Sequence, residues 1–199
     1  FQSMQDEIDL DVCKQHGVDA VRRRTGGGAV YHDNHGEITY SVIAPQGVFP
    51  ANIIESYKII CGWIIDGLAL VGLEATFIPI NDIIVAGKKI SGNAQTRRNG
   101  VLLQHGTILY DVDVKKMFSL LKVPDEKIRD KMIAAVEERV TSVTKQNPTI
   151  TKDTLYNALV KGFTANKQFE YGKWSEEEFA RAKDLAKSRY ATNEWNFSR

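Results

Sequence analysis

Cysteine is nearly absent from this chain of 199 residues, which carries only Cys13 and Cys61. Their separation fits neither a metal-ligand spacing nor a redox pair, so no thiolate chemistry of either kind is indicated. Cys61 falls in an apolar helical pattern and is expected in the core, and a reducing, cytoplasmic setting is the expectation. No run approaches the roughly 20 apolar residues of a membrane span, and the N-terminus has no signal-peptide character. Charge of one sign is missing too. With 26 Lys and Arg against 25 Asp and Glu, the chain has no general pull toward nucleic acid or an anionic membrane. Any polyanion site must therefore be local. The four histidines, His16, His32, His35 and His105, do not recur at metal-ligand spacings. No serine–histidine–acid set, internal repeat or low-complexity tract stands out.

What is present fits one domain over residues 1–199 with a substantial core. Phe1 and Gln2 read as the end of a strand, so an N-terminal piece is expected to precede this sequence. The pattern predicts a short helix over Glu7 to His16 stopped by Gly17, then strands at Val18 to Arg23 and Ala29 to Tyr31. A polar turn over Asp33 to Glu37 leads to a strand at Ile38 to Ile43. Pro50 introduces a helix in which Ile53, Tyr57, Ile60, Ile64, Leu68 and Val71 recur at spacings of three and four before Gly72. Strands follow at Ala75 to Ile78, Asp82 to Val85, Lys89 to Asn93 and Val101 to Tyr110, with hairpin turns at Gly87-Lys88 and Asn99-Gly100. Residues 112–199 read as a helical segment of the same domain. Its helices start at Asp113, at Pro124-Asp125, at Thr151 and at the Ser175 to Glu178 capping box; it caps the sheet. The fold class is α+β, with a mixed, largely antiparallel sheet flanked by helices.

Two stretches could carry chemistry. In Val85 to Gln95, alternation sends Lys89 and Ser91 to one face and Ile90 to the other. On its own Lys89 reads equally as a solvated strand lysine. In Arg22 to Asp33, arginine forks precede Gly26, Gly27 and Gly28, whose bare backbone can approach an anion. No Lys-Ser/Thr follows, so this is not a Walker loop. Alternation turns Arg23 away from Arg22 and Arg24, so only one side of the triplet can serve a site. His32 beside Asp33, and His105, are open between general base and structural partner. Asn81-Asp82 is open between a strand-initiating turn and a contact to a sugar, a base edge or a magnesium-bound phosphate. Together these residues suit an activated carboxylate held without a covalent nucleophile.

The stretches Arg22-Arg-Arg-Thr-Gly-Gly-Gly-Ala-Val-Tyr-His-Asp33, Asn81-Asp82, Gly87-Lys-Lys-Ile-Ser-Gly-Asn-Ala94 and His105-Gly-Thr-Ile-Leu109 resemble the ordered motifs of the lipoate–protein ligase A family. That family sits within the biotin/lipoate ligase and lipoyl/octanoyltransferase superfamily. The likeness extends to Glu194-Trp-Asn196. It implies a biotin/lipoate ligase-like catalytic domain that activates lipoate (or octanoate) with ATP and Mg to lipoyl-AMP. The acyl group then passes to a lysine of lipoyl-acceptor domains of 2-oxoacid dehydrogenase complexes and of glycine cleavage H protein. The resemblance gives Lys89 the catalytic contact. Substrate and nucleotide contacts fall to Arg23, Thr25, Gly26, Gly27, Gly28, His32, Asn81, Asp82, Ser91, Gly92, Ala94, His105 and Thr107, with Asp82 as the residue for Mg.

Three features qualify the likeness. The family's His-Asp-Leu-Gly-Asn turn is replaced by His32-Asp-Asn-His-Gly-Glu37, and Gly36 to Ser41 resembles the octanoyltransferase branch instead. That branch carries a cysteine nucleophile just ahead of the central hairpin, where this sequence reads Ala75 to Asp82 with none. No accessory C-terminal domain is expected after Arg199, an arrangement similar to archaeal-type ligases whose accessory domain is a separate chain. An octanoyl- or lipoyltransferase and a non-catalytic ligand-binding paralogue are the alternatives, and the arginine–glycine loop is less like a biotin ligase.

Overall fold

The computed structural model describes residues 2–122 and 126–198. Its frame is a five-stranded antiparallel sheet in the order β1-β5-β4-β3-β2. The strands are β1 (Glu37–Pro45), β2 (Ala75–Ile78), β3 (Asp82–Val85), β4 (Lys88–Arg98) and β5 (Val101–Leu109). Asn99 and Gly100 both take positive φ, +52° and +76°, as a two-residue primed turn requires, and this closes the β4–β5 hairpin. In the β3–β4 hairpin the turn lies one residue earlier than expected. Ala86 and Gly87 take the positive φ, and Lys88 already pairs with Val85.

One face of the sheet is covered by helix α3 (Ile53–Ala69), capped by Asn52, whose side chain accepts from the Ile54 and Glu55 amides. Cys61, Ile64 and Leu68 are fully buried there against Ile83, Ile90 and Ile108 of the sheet, and Ile60 is fully buried with Phe49 and Leu102. Ile53, read as part of that stripe, is exposed in the first turn. Behind α3 lies α7 (Lys152–Thr164), opened by Thr151 as expected. The two helices cross where Gly67 meets Gly162. A Cβ on Gly162 would overlap the Trp63 carbonyl, which explains the small residues at the crossing.

The rest of the C-terminal half only partly caps the sheet. Helix α4 (Val114–Leu120) is capped by Asp113 as expected; α5 (Glu126–Arg139) follows, the proposed start at Pro124-Asp125 lying outside the described residues. After α6 (Val143–Gln146) and α7, helix α8 (Glu176–Leu185) has the predicted capping box yet buries no residue. A π-helical turn at Ala186–Tyr190 leads to α9 (Asn193–Asn196).

The N-terminal segment departs most from expectation. The single helix over Glu7 to His16 is split into α1 (Met4–Glu7) and α2 (Leu10–Gln15), because Ile8 forms a β-bridge with Leu121 and the Asp9 amide donates to Leu120. Gly17, at φ +63°, ends α2 as predicted. Val18 to Arg23 and Ala29 to Tyr31 are not strands among the described residues. No described strand pairs with them. Instead the Arg22 amide donates to the Asn196 side chain and the Ala29 amide to Glu7. No described helix is long and apolar enough to cross a membrane.

Candidate active site

The uncovered face of the sheet is where the sequence-selected residues converge. Cross-strand pairing sets Asp82 opposite Gly92, Gly92 opposite Thr107, and Ala94 opposite His105. These residues alternate with those buried under α3, so they share the open face. A bulge then changes the local arithmetic. Ile83 pairs with Ser91 but Ile84 pairs with Lys89, so Ile90 is the extra residue. Ile90 and Ser91 are both fully buried. Ser91 sits between Ile83 and Ile108 on the core face, its hydroxyl 3.5 Å from Asn93. The expectation that Ser91 shares a face with Lys89 is therefore corrected, and the bulge is the cause.

Lys89 lies on the open face. Its ammonium is 2.7 Å from Asp82 Oδ1, and it runs directly over Gly92, where a Cβ would sit 3.0 Å from both Cε and Nζ. The Asp82 oxygen is shielded from water, with this ammonium as its polar partner among the described residues. The main chain of Lys89 is held as well: its carbonyl accepts from the Thr141 amide, 2.8 Å, beside a parallel bridge to Val140. Lys88 points elsewhere, to the Glu137 carbonyl.

The three arginines divide as alternation suggested, although no strand forms. Arg22 bonds to Asn196 and Gln2, and Arg24 to the Tyr190 hydroxyl. Arg23 turns into the glycine loop, where one Nη donates to the carbonyls of Gly26 at 2.8 Å and Gly28 at 3.0 Å. Gly27, at φ +106°, wraps so closely that a Cβ would lie 2.7 Å from the guanidinium. Arg23 Nε is shielded from solvent and meets no acceptor among the described residues. Partial burial lowers the Arg23 pKa from its usual value. A shielded donor without an acceptor costs about 1–3 kcal/mol, which an incoming anion can relieve.

Thr25 ties this loop to the sheet, its hydroxyl 2.6 Å from His105 Nε2. His105 is held below the ordinary imidazole pKa by burial, with Arg23 and then His32 adding repulsion. His32 is shifted upward because Glu37 bonds to its Nδ1 at 2.5 Å. Asp33 does not pair with His32. Its carboxylate accepts from the His35 and Gly36 amides and from Tyr31, which brings its pKa to about 2. Asn81 is tied into the sheet by reciprocal bonds with Asn93. Glu37, Asn93 and Thr141 were not singled out by sequence, although Asn93 lies inside the Gly87 to Ala94 motif and Glu37 is an acid five residues from a histidine.

A cavity of about 260 Å³ opens beside this constellation. Ile8, Val18, Val21, Val30 and Leu120 give it apolar walls, and Arg23, Thr25 and His32 line it as well. Cys13 also lines it, yet is only 5% exposed, and burial followed by Asp9 raises its thiol pKa. Cys61 is fully buried on α3 and pushed up to about 12, chiefly by burial. No cluster of three metal-ligating side chains occurs among the described residues. Asp82 offers one carboxylate on the open face, a single oxygen ligand for a hard cation.

The sequence pattern of the lipoyl protein ligase A/B catalytic domain matches residues 1–164. The octanoyltransferase LipM of Geobacillus kaustophilus is 35% identical over 227 aligned residues, covering all of this chain and 81% of its own. A bi-partite lipoate protein ligase from Thermoplasma acidophilum, solved in a study with its E2 lipoyl domain, superposes with a TM-score of 0.90 at 35% identity. That superposition covers 99% of this chain and 77% of the other. A lipoate-protein ligase A bound with ATP superposes with a TM-score of 0.83 at 32% identity, over 99% of this chain and 79% of that one.

Proposed function

Because this chain belongs to the lipoyl protein ligase A/B catalytic-domain family, a family of enzymes of protein lipoylation, we propose that it is an ATP-dependent lipoate–protein ligase. In the first step a lipoate carboxylate oxygen attacks the α-phosphorus of ATP. An acyl–phosphate bond forms and pyrophosphate leaves. In the second, a lysine amine of an acceptor lipoyl domain attacks the acyl carbonyl and AMP leaves.

Lys89 supplies positive charge where negative charge develops in both steps. Arg23, with its unmatched Nε, and the Gly26, Gly27 and Gly28 backbone hold phosphate or carboxylate oxygen. Thr25 and His105 line the passage from the cavity to the sheet, with His32 at the cavity wall, and the apolar walls take the acyl chain. Gly92, Ala94 and Thr107 form the floor. Asp82, anchored through Asn81, lies on the nucleotide side and would hold a magnesium ion carried by ATP.

The observation that carries this reading is the state of the two thiols. A transferase that accepts its acyl group on cysteine needs a thiolate. Cys13 and Cys61 are both buried with raised pKa values, whereas Lys89 faces the open site. The second reading, an octanoyltransferase drawing on an acyl-carrier thioester, is favoured by the 35% identity to LipM.

The test is ATP–pyrophosphate exchange dependent on lipoate. Lys89→Met should lose about 100- to 1,000-fold in rate, the usual cost of removing a donor aimed at developing charge. Lys88→Ala should stay near wild type. Exchange at wild-type rate in Lys89→Met would remove Lys89 from the mechanism.

A further inference from the structure

We infer that Asn93 is a positioning residue that sets Asp82 against Lys89 from the opposite side of the sheet. It occupies the core face of β4, next to Gly92 on the open face, and is 4% exposed. Both ends of its carboxamide are engaged. Oδ1 accepts from the Tyr40 hydroxyl at 2.6 Å, and Nδ2 donates to the Asn81 carbonyl at 2.8 Å. The Asn93 amide donates to that same carbonyl at 3.1 Å, and the Asn93 carbonyl accepts from the Asn81 side chain. With the longer contact from the Ser91 hydroxyl, five polar contacts meet at one residue, and three of them grip Asn81.

Asn81 immediately precedes Asp82, so gripping its peptide fixes where the Asp82 carboxylate emerges on the other face. There it meets the Lys89 ammonium above Gly92. The geometry also needs Gly106. A Cβ at that position would lie 2.3 Å from Asn93 Oδ1 and 2.9 Å from the Tyr40 ring. Neither Asn93 nor Tyr40 reaches the open face. Asn93 acts only through Asp82, and the inference rests on the ligase reading solely for its effect on turnover.

The experiment reads Lys89 directly and needs no turnover. With a dilute amine-acylating reagent and peptide mass spectrometry, Lys89 should react slowly in the wild-type protein, because its amine is engaged by Asp82 at 2.7 Å. Asn93→Ala should raise Lys89 acylation severalfold, to the level of Asp82→Asn, with exposed Lys115 unchanged as internal reference. In the Asp82→Asn background Asn93→Ala should add nothing. An unchanged Lys89 rate, or a parallel rise at Lys115, overturns the inference, the latter by indicating general loosening. Should Asn93→Ala fail to fold, Tyr40→Phe removes one bond to the carboxamide. It should give an intermediate rise at Lys89, and a wild-type rate there overturns the inference equally. In lipoate-dependent exchange, Asn93→Ala should lower kcat by as much as about 100-fold with KM little changed, the cost of a small misplacement of a charged group. Absence of exchange in the wild-type enzyme supplied with an accessory chain would refute the ligase reading and leave the acylation result standing.

Discussion

At the scale of single residues, the two site histidines titrate in opposite directions, and the signs can be worked out. Glu37 bonds to His32 and lifts its pKa above the ordinary 6.5, with burial opposing. The folded state therefore binds this proton more tightly than the unfolded chain. The resulting stability is complete below pH about 6.5 and is lost as pH rises through the folded midpoint. His105 is shifted downward by burial. Its protonation opposes the fold as pH falls from about 6.5 through its lower midpoint. An NMR titration should place His32 above 6.5 and His105 below it, and Glu37→Gln should abolish the upward shift of His32. A His32 midpoint at or below 6.5 in the wild type would contradict this electrostatic picture. Residue identity made these groups legible in the sequence. Their partners were not: Asp33, adjacent to His32, turned out to serve its own turn, while Glu37 comes from the start of β1.

At the scale of elements, the regular hairpins were readable because turn chemistry and alternation agree. Asn99-Gly100 fixes the register of β4 and β5, and Gly72 and Gly17 end helices where expected. The bulge at Ile90 was not readable, since alternation presumes an unbroken register; the same slip misassigned Ser91. Val18 to Arg23 has strand composition without a ladder partner among the described residues, and composition cannot report a missing neighbour.

The Glu194-Trp-Asn196 stretch, noted only as a resemblance, proves to be the clasp of the arginine segment. Trp195 Nε1 donates to the Arg22 carbonyl at 2.9 Å, and Asn196 Oδ1 accepts from the Arg22 amide at 2.9 Å. Asn196 is only 7% exposed, so losing its carboxamide should cost about 1–3 kcal/mol locally. Asn196→Ala should speed amide exchange across residues 18–28 and raise KM for the acid, with the β4–β5 hairpin still protected. Unchanged exchange in residues 18–28 would show that α9 does not hold the loop.

At the scale of the whole molecule, one sheet face packs on α3 and the other carries Lys89, Asp82, Gly92 and His105, so the core and the site share strands. The family assignment and the fold agree with the expectations from sequence. The choice between ligase and transferase rests on chemistry that the fold alone does not distinguish. A ligase makes its own activated acyl group and is indifferent to thiol loss; a thiol-dependent transferase is not. The Thermoplasma relative is bi-partite, and an accessory chain for this protein is our proposal. Adenylation is accordingly expected to rise when such a chain is supplied.

The most direct test offers an acceptor lipoyl domain two donors, with and without an accessory chain. One reaction contains free lipoate with Mg-ATP, the other an octanoyl-carrier protein without ATP. Acceptor modification is expected only in the first, and it should survive in a Cys13→Ser/Cys61→Ala double variant. Modification only in the second, lost on replacing either cysteine, would contradict the ligase assignment.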